Sequence, residues 1–383
     1  MANTLTAILP KILANSLPVL RQNAVTPRLI TSYGSRSRRS PGQTIDIPVS
    51  VAQTAAAVTN ANTPPSNTDS TPTTVQLTLD KHYATKFHLS DAELTRIDAD
   101  NTFLPGQVAQ GVKALANQID GDVLALYKNV YEYNGTAGTT PFADEATFNT
   151  DWTKGARVKL GTNLAPMDDR SVVIDPSAEG ALVSLAKFTD ADRVGDQAGI
   201  INGEIGQKIG ARWVMNQNVP THTRGTLTGS PLVNQADVTV GDTTVDIDAG
   251  SLTGTVVIGD TFTVAGDTQV YVVTANATAA TNAIAGMAFL PAAKVAWADN
   301  AAITFDATGV QNMAFHRSAF AIGFAELGGT DLGLGNMSSI VDPYTGATLR
   351  LEVRRDYKQT TWELDVLYGV KAVRPELAVR IAG

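Results

Sequence analysis

Cysteine is missing from all 383 residues, which excludes disulfides and thiolate metal sites. Histidine is scarce: His82, His88, His222 and His316 are too scattered to build a histidine metal centre. Charge is sparse as well. Charged residues make up 17% of the chain against 43% hydrophobic, a globular composition with little charge for its size. No run reaches the ~18 apolar residues of a membrane-spanning helix, so no span is expected. The N-terminal stretch MANTLTAILPKILANSLPVL is apolar, but it has no basic n-region and prolines interrupt it. A short docked helix is expected there in place of a secretory signal. Without a signal, the sequons Asn134-Gly135-Thr136 and Asn276-Ala277-Thr278 read as chance matches. The length suggests about two or three domains.

Basic residues are nearly missing from one long segment. Between Thr226 and Thr308 stand Asp237, Asp242, Asp246, Asp248, Asp260, Asp267, Asp299 and Asp306 against Lys294 alone. This segment therefore carries −7 of the formal net charge of −8. Such a shift marks a separate, solvated module. Its Val and Thr content predicts short strands at Val256–Ile258, Thr261–Val264 and Val270–Val273. Turns are expected at Gly241-Asp242, Gly259-Asp260 and Gly266-Asp267. A small barrel or sandwich inserted over 226–308 is expected.

Catalytic signatures are missing too. Gly203, Gly206 and Gly210 form neither phosphate-loop fingerprint, so a strand hairpin is expected over 201–220. Asp168, Asp169, Asp175, Asp190, Asp192 and Asp196 match no calcium loop and read as caps and turns. No Ser/His/Asp set assembles from neighbouring motifs. The chain is not read as an enzyme, and neither a cofactor nor a metal is expected.

What is present is a series of strand and helix patterns. Leu5, Ile8, Leu9, Ile12 and Leu13 share one helical face in an arm over 1–32. Arg36, Arg38 and Arg39 follow without nearby aromatics and read as a solvated or salt-bridging loop. Ile45, Ile47, Val49 and Val51 alternate with polar residues, as do Val75, Leu77 and Leu79. These two strands are joined by a stretch rich in Ala, Thr, Asn and Pro that cannot form a core. A lone two-stranded ribbon is marginal in water. Little nearby sequence is free to cover its apolar face, so a neighbouring subunit is expected to do so.

Val108, Val112, Leu115, Ile119, Val123, Leu126 and Val130 form a sustained stripe over 105–130, a spine helix roughly 39 Å long. Phe148 and Trp152 then fall on a short helix, and Ser171–Ile174 reads as a strand. Asp175 caps a helix with Pro176 in its first turn, burying Leu182, Val183 and Leu185. The chain closes on two alternating strands. Leu349, Leu351 and Val353 lie on the first, and Trp362, Leu364, Val366, Tyr368 and Val370 on the second, with a seven-residue polar connection.

The order of arm, two-stranded loop, spine helix, α/β domain, β insertion and return strands is distinctive. Three anchors sharpen it: PMDDRSVVIDP at 166–176, the glycine-spaced hairpin ending Asn218-Val219-Pro220, and the closing stretch. That last anchor has Ala314-Phe315-His316-Arg317-Ser318-Ala319-Phe320 before it. Within it Leu364-Asp365-Val366-Leu367-Tyr368-Gly369 runs on through Arg374-Pro375-Glu376. In these the chain resembles the major capsid proteins of tailed bacteriophages, with the HK-ninety-seven-type shell fold. Gly259–Gly266 (GDTFTVAG) resembles the inserted domain of short-tailed-phage coat proteins.

The resemblance implies an α+β shell fold. It divides into arm 1–32, extended loop 33–85, peripheral domain 86–149 with spine helix 105–130, axial domain 150–225, inserted β domain 226–308, and axial second part with return strands 309–383. It implies pentamers and hexamers of an icosahedral shell, a portal protein, a separate scaffolding protein, decoration proteins as further partners, and enclosed double-stranded DNA without sequence-specific binding. The setting would be the virion capsid, assembled in the bacterial host cytoplasm. Some members cross-link through a loop lysine. Here no lysine lies between Arg39 and Asp80, and Lys81 is the first, so a non-covalent shell is expected. Inter-subunit contacts are expected at Arg36, Arg38, Arg39, Ile45, Ile47, Val49, Val75, Leu77, Leu79, Arg354 and Arg355. The other charges of the closing stretch, Arg350, Glu363, Asp365, Lys371, Arg374 and Glu376, are added to that set. Rival readings are an encapsulin-like compartment shell and an extracellular β-rich surface protein.

Overall fold

The computed structural model describes residues 16, 18–20, 24–38, 41–50, 55, 72–92, 103–189, 206–234, 238–327, 336–342 and 345–383. Strands β1 (Thr31–Arg38), β2 (Thr44–Val49), β3 (Thr73–Thr78) and β4 (Lys81–Ser90) precede helix α1 (Phe103–Leu124). β5 (Tyr133–Gly135), α2 (Glu145–Phe148), a π-helical stretch Asn149–Ala156 and α3 (Arg157–Thr162) follow. Then come β6 (Arg170–Ile174), α4 (Pro176–Val183), α5 (Ala186–Thr189), β7 (Gln207–Lys208), β8 (Ala211–Met215) and β9 (Thr221–His222). The acidic segment holds β10 (Leu232–Val233), β11 (Thr244–Asp248), β12 (Thr255–Val256), β13 (Thr261–Val264), β14 (Tyr271–Val273), β15 (Ala277–Thr278), β16 (Ala283–Leu290) and β17 (Ile303–Phe305). β18 (Gly309–His316), β19 (Phe320–Glu326), β20 (Asn336–Val341), β21 (Thr348–Asp356), β22 (Gln359–Ala372) and β23 (Ala378–Ala382) complete the chain. Among the described residues no helix is long and apolar enough to cross a membrane.

Two compact units emerge. One comprises Met1–Leu17, Ser32–Gly111 and Ala321–Val373; the other comprises Pro18–Thr31, Val112–Phe320 and Arg374–Gly383. The expected pieces 1–32, 86–149 and 309–383 are thus each divided, the second of them within helix α1. β18 and β23 belong to the second unit, while the stretch between them belongs to the first. The reason is pairing: β22 forms its ladders with β4 and β21, not with β18.

In the first unit a sheet runs β1-β19-β22-β21-β20, with β4 also on β22. The seven-residue connection expected between the last two long strands is a two-residue turn, Tyr357-Lys358, with Lys358 at φ 55°. The ladder continues through polar pairs Arg354↔Thr361 and Arg355↔Thr360, beyond where the apolar pattern ends. Main-chain pairing does not need an apolar face, which is why the pattern stopped short. Trp362 faces Phe87 across β22 and β4, with stacked rings 5.3 Å apart.

In the second unit a mixed sheet runs β5-β23-β18-β6-β8-β7, with β9 on β18. Asp175 caps α4 by accepting from Ser177 N at 3.0 Å, and Pro176 sits in its first turn. Phe142, Phe148, Trp152, Phe188 and Trp213 form an aromatic nest, with neighbouring centroids 5.1–6.1 Å apart. The spine stripe is buried as patterned at Val112, Leu115, Ile119 and Val123 of this unit and at Val108, which belongs to the first. The α-helical part ends at Leu124, and 3₁₀ geometry continues over Ala125–Asn129.

The inserted segment forms a sheet β10-β11-β16-β14-β13-β17. Val233 N donates to Ala301 O at 3.0 Å and Ile303 N to Pro231 O at 3.0 Å, so its two edge strands meet. Of the barrel and sandwich alternatives, it is a closed barrel, which leaves no edge for stray pairing. Its core holds Phe262, Tyr271, Phe289 and Trp297 among many aliphatics.

Candidate assembly surfaces

The ribbon β2–β3 pairs in register from Thr44↔Thr78 to Val49↔Thr73. Alternation puts Ile45, Ile47, Val75, Leu77 and Leu79 on one face. The expectation that a neighbouring subunit covers this face is corrected for its centre. Ile47, Leu77 and Leu79 are buried against Ala321, Ala325 and Leu367 of the same chain, with Ile45, Tyr33, Leu327 and Val373 beside them. The covering residues lie between 242 (Leu79 to Ala321) and 320 (Ile47 to Leu367) positions downstream, out of reach of a local reading. Ile45, Val49 and Val75 stay half-buried, and the polar residues between them are exposed. The ribbon approaches β19 and β22 so closely that a Cβ on Gly369 would collide with the Thr78 carbonyl oxygen.

The arginine loop is also corrected. Arg36 and Arg38 lie in strand β1, beside β19, because main-chain pairing is indifferent to their charge. Arg39 lies outside the described residues, as do the arm's first helix and residues 201–205 of the hairpin.

The closing-stretch charges divide into two groups. Arg350 and Asp365 face each other across β21 and β22. Arg350 Nε donates to Asp365 Oδ1 at 3.0 Å, and its Nη2 also pairs with that carboxylate. Burial opposes the charge on Arg350, but the hydrogen bonds and charge of Asp365 hold its pKa above the ordinary value. This pair is spent inside the sheet. Arg354 and Arg355 sit at the exposed end of the hairpin, beside Tyr357. Arg354 Nε lies 3.6 Å from Asp356, and Arg355 Nη2 donates to both Asp91 oxygens at 2.8 Å. Both pairs are largely solvated, so they hold little energy and can be exchanged for partners on another molecule.

Two features escaped the sequence reading. Val158, Leu164 and Met167 are large, exposed and line one depression on the second unit; Leu164 is 87% exposed. Leu164 and Met167 flank Pro166 in the loop before β6, an apolar residue pattern without strand or helix period. The other feature is a buried polar knot where the barrel meets its host sheet. His222 Nε2 lies 2.8 Å from Asp260 Oδ1, and its Nδ1 lies 3.0 Å from the Tyr127 hydroxyl. A neutral imidazole protonated at Nε2 satisfies both, donating to Asp260 and accepting from Tyr127. Asp260 also accepts from Gly225 N and Val257 N at 3.2 and 2.9 Å.

Arg380 is fully buried beside this knot. Its Nη1 donates to Gly259 O at 2.8 Å and its guanidinium lies 5.1 Å from the Tyr127 ring centroid. Burial pulls its pKa down to about 10, while Tyr127, Tyr133, Asp306 and Asp260 favour its charge. One sequence signal existed: Arg380 is the lone charge in the run Ala378–Ala382. Burying such an arginine is costly unless its donors find acceptors, and here only Nη1 does so among the described residues.

No family model matches this sequence, and no curated protein does. Solved structures do. The capsid of the cyanophage P-SCSP1u superposes with a TM-score of 0.51 at 13% identity, covering 94% of this chain and 88% of that one. A chain from Mycobacterium phage Che8 gives 0.47 at 20% identity, over 88% and 84%. The virus-like particle from Pyrococcus furiosus gives 0.43 at 8% identity, over 97% and 98%. At these identities the likeness speaks to architecture. The chain has the α+β shell fold of phage capsids, with a small β-barrel inserted in it.

Proposed function

We propose that this chain is the major capsid protein of a tailed bacteriophage. It self-assembles through pentamers and hexamers into an icosahedral shell around packaged double-stranded DNA, in the virion, after assembly in the bacterial host cytoplasm. The observation that carries this reading is a capsid shell fold spanning nearly the whole chain. A shell subunit must bury faces against copies of itself, and obligate interfaces often exceed about 2,000 Å². The exposed polar edge of the ribbon, the Arg354–Arg355 hairpin end and the apolar depression at Val158, Leu164 and Met167 are offered as those faces. Arg36, Arg38 and Arg39, with the half-buried Ile45, Val49 and Val75, complete the proposed contact set. Ile47, Leu77 and Leu79 support it from beneath.

In this reading 1–32 is the arm, 33–85 the extended loop, and 86–149 the periphery, of which 86–111 shares a compact unit with Ala321–Val373 and 112–149 belongs to the other unit. Residues 150–225, with β18 and β23, form the axial part. The barrel 226–308 faces outward, which suits its acidity. A portal and a separate scaffolding protein are the expected partners, with decoration proteins on the barrel. The shell is held without cross-links.

Electron microscopy of the full chain, expressed alone and with the products of neighbouring genes, tests the proposal. Uniform shells are expected, with nucleic acid inside mature particles and only monomer bands on denaturing electrophoresis. Dispersed monomers under every condition would overturn it. Shells holding a protein cargo and no nucleic acid would favour the compartment reading instead.

A further inference from the structure

Next to the depression at Val158, Leu164 and Met167, with which it shares Met167 and Arg170, the second unit holds a pocket of about 260 Å³ whose lining is strongly cationic. Arg28, Arg170, Arg212 and Arg317 converge on it, with Asp169 the one acid among the described lining residues. This is a local excess of positive charge in a chain of net −8. Four separate elements deliver the arginines. Arg28 ends the 3₁₀ turn Thr26–Arg28. The start of that turn is fixed by Asp120, which accepts from Thr26 Oγ1 at 2.6 Å and Thr26 N at 3.2 Å. Arg170 opens β6 and is 5% exposed; its Nε and Nη2 donate to Pro166 O and Ala165 O, each at 2.7 Å. Arg212 stands on β8 opposite Gln207, set there by a tight turn at Ile209-Gly210 with φ of 51° and 77°. Arg317 follows β18, its backbone N donating to Asp169 O at 3.3 Å.

Among the described residues none of the four is in an ion pair. Like charges lining one pocket repel, and the one guanidinium of the four that is buried, that of Arg170, also costs desolvation energy. Arg170 shows that cost: burial, then the nearby Arg157, lowers its pKa. Only one carboxylate among the described residues, Asp169, lines the pocket, and it is in no ion pair with the four arginines, so the excess of positive charge calls for an anion from outside. Guanidinium forks match tetrahedral oxyanions bidentately. The volume, roughly that of nine waters, admits a phosphoryl group with part of its hydration shell.

We propose that this pocket is an oxyanion site that takes a phosphoryl group, either a free one such as pyrophosphate or a phosphodiester of nucleic acid. The proposal does not depend on the shell reading. Calorimetric titration of the unassembled full chain tests it, using inorganic pyrophosphate and, separately, a duplex of about 20 base pairs at about 50 mM salt. Pyrophosphate is expected to bind at one site per chain. Arg212→Ala with Arg317→Ala is expected to weaken that binding at least about tenfold, since charge-assisted hydrogen bonds are lost. Arg354→Ala with Arg355→Ala removes the same charge elsewhere and should change it less than about twofold.

If the duplex loses affinity in parallel in the first variant only, the ligand is a phosphodiester; if the duplex is indifferent, it is a free phosphate. Both targeted side chains are exposed, and melting curves report folding. Arg212→Gln alone, expected to weaken binding about threefold or more, decides the matter if the pair is unstable. No pyrophosphate binding by the native chain, equal weakening by both double variants, or preferential binding of a Glu-rich peptide at this pocket would overturn the proposal.

Discussion

The inserted barrel and the β2–β3 ribbon are both β structures, yet they hold together by opposite means. The barrel carries its own core. Phe262 alone meets Tyr271, Phe289, Trp297 and Phe305 at 5.5–6.4 Å between centroids, all within the insertion. The ribbon has one apolar face and nothing of its own to put against it. Its core is lent by Ala321, Ala325 and Leu367, far away in sequence. A segment that closes on itself can be acidic and still fold, because its sidedness is internal. A ribbon with one open face is structured only in company.

The sharpest way to break this contrast is to cut the two regions out. Residues 224–308 as a separate chain should fold, because the ends already meet: Arg224 N donates to Thr308 Oγ1 at 3.0 Å. Circular dichroism should show a cooperative melt. A peptide of residues 41–80 should show none, as isolated hairpins are marginal. A folded ribbon peptide, or an unfolded barrel, would end the distinction.

Point substitutions sharpen it next. Phe262→Ala should cost about 3–5 kcal/mol and unfold the barrel with little effect on the first unit. Leu77→Ala should cost about 2–5 kcal/mol and register in the first unit, although it lies in the ribbon. Gly369→Val should act on the same side by propping the ribbon off β22, since its Cβ would occupy the space of Thr78 O. Amide exchange, read segment by segment, separates these outcomes. Protection lost in the barrel after Leu77→Ala would show that the two are coupled.

This contrast also marks how far the sequence could be read. The barrel's turns at Gly241, Gly259 and Gly266, and the strands Thr261–Val264 and Tyr271–Val273, followed from local chemistry alone. So did Asp175 and Pro176 at the start of α4, and the stripe of α1. What failed was everything that depends on distant partners. Ile47, Leu77 and Leu79 gave their alternation away but not their cover. Arg350 and Asp365 read as candidates for inter-subunit pairing because only the register of β21 on β22 places them face to face. The His222–Asp260–Tyr127 knot and the arginine pocket draw on three or four elements each, and no spacing rule spans them.

The joint between barrel and host sheet offers a smaller, pH-dependent test. Asp306 follows β17, and burial raises its pKa, against the weaker pull of a Thr261 hydrogen bond and of Arg380, Arg224 and Lys159. A raised carboxyl pKa means the folded state favours the protonated form. Its stabilising contribution is complete below the unfolded value near 3.8 and is lost as pH rises through the folded value. Asp306→Asn keeps the shape and removes the titration. The variant should therefore gain on the native chain as pH climbs from about 4 toward neutrality, read from melting temperatures at each pH. A difference that shrinks with rising pH would mean the carboxylate is held as an anion by Arg380, making the joint a true ion pair.

The smallest expected effect on the single chain concerns Arg354 and Arg355. Their partners Asp356 and Asp91 are solvated, so reversing both to Glu should change monomer stability by no more than about 1 kcal/mol. Shell assembly is a different measurement. Like charges facing across a close contact oppose association far more than one exposed pair supports folding. If the hairpin end is an inter-subunit face, the double reversal should cut particle yield sharply while leaving the melting curve of the unassembled chain nearly unmoved. Unchanged yield with unchanged melting would assign the pair to solvent. A large loss of monomer stability would mean that the Asp91 pair anchors the end of β4 to the hairpin, and the first unit would then extend its self-sufficiency to its most exposed tip.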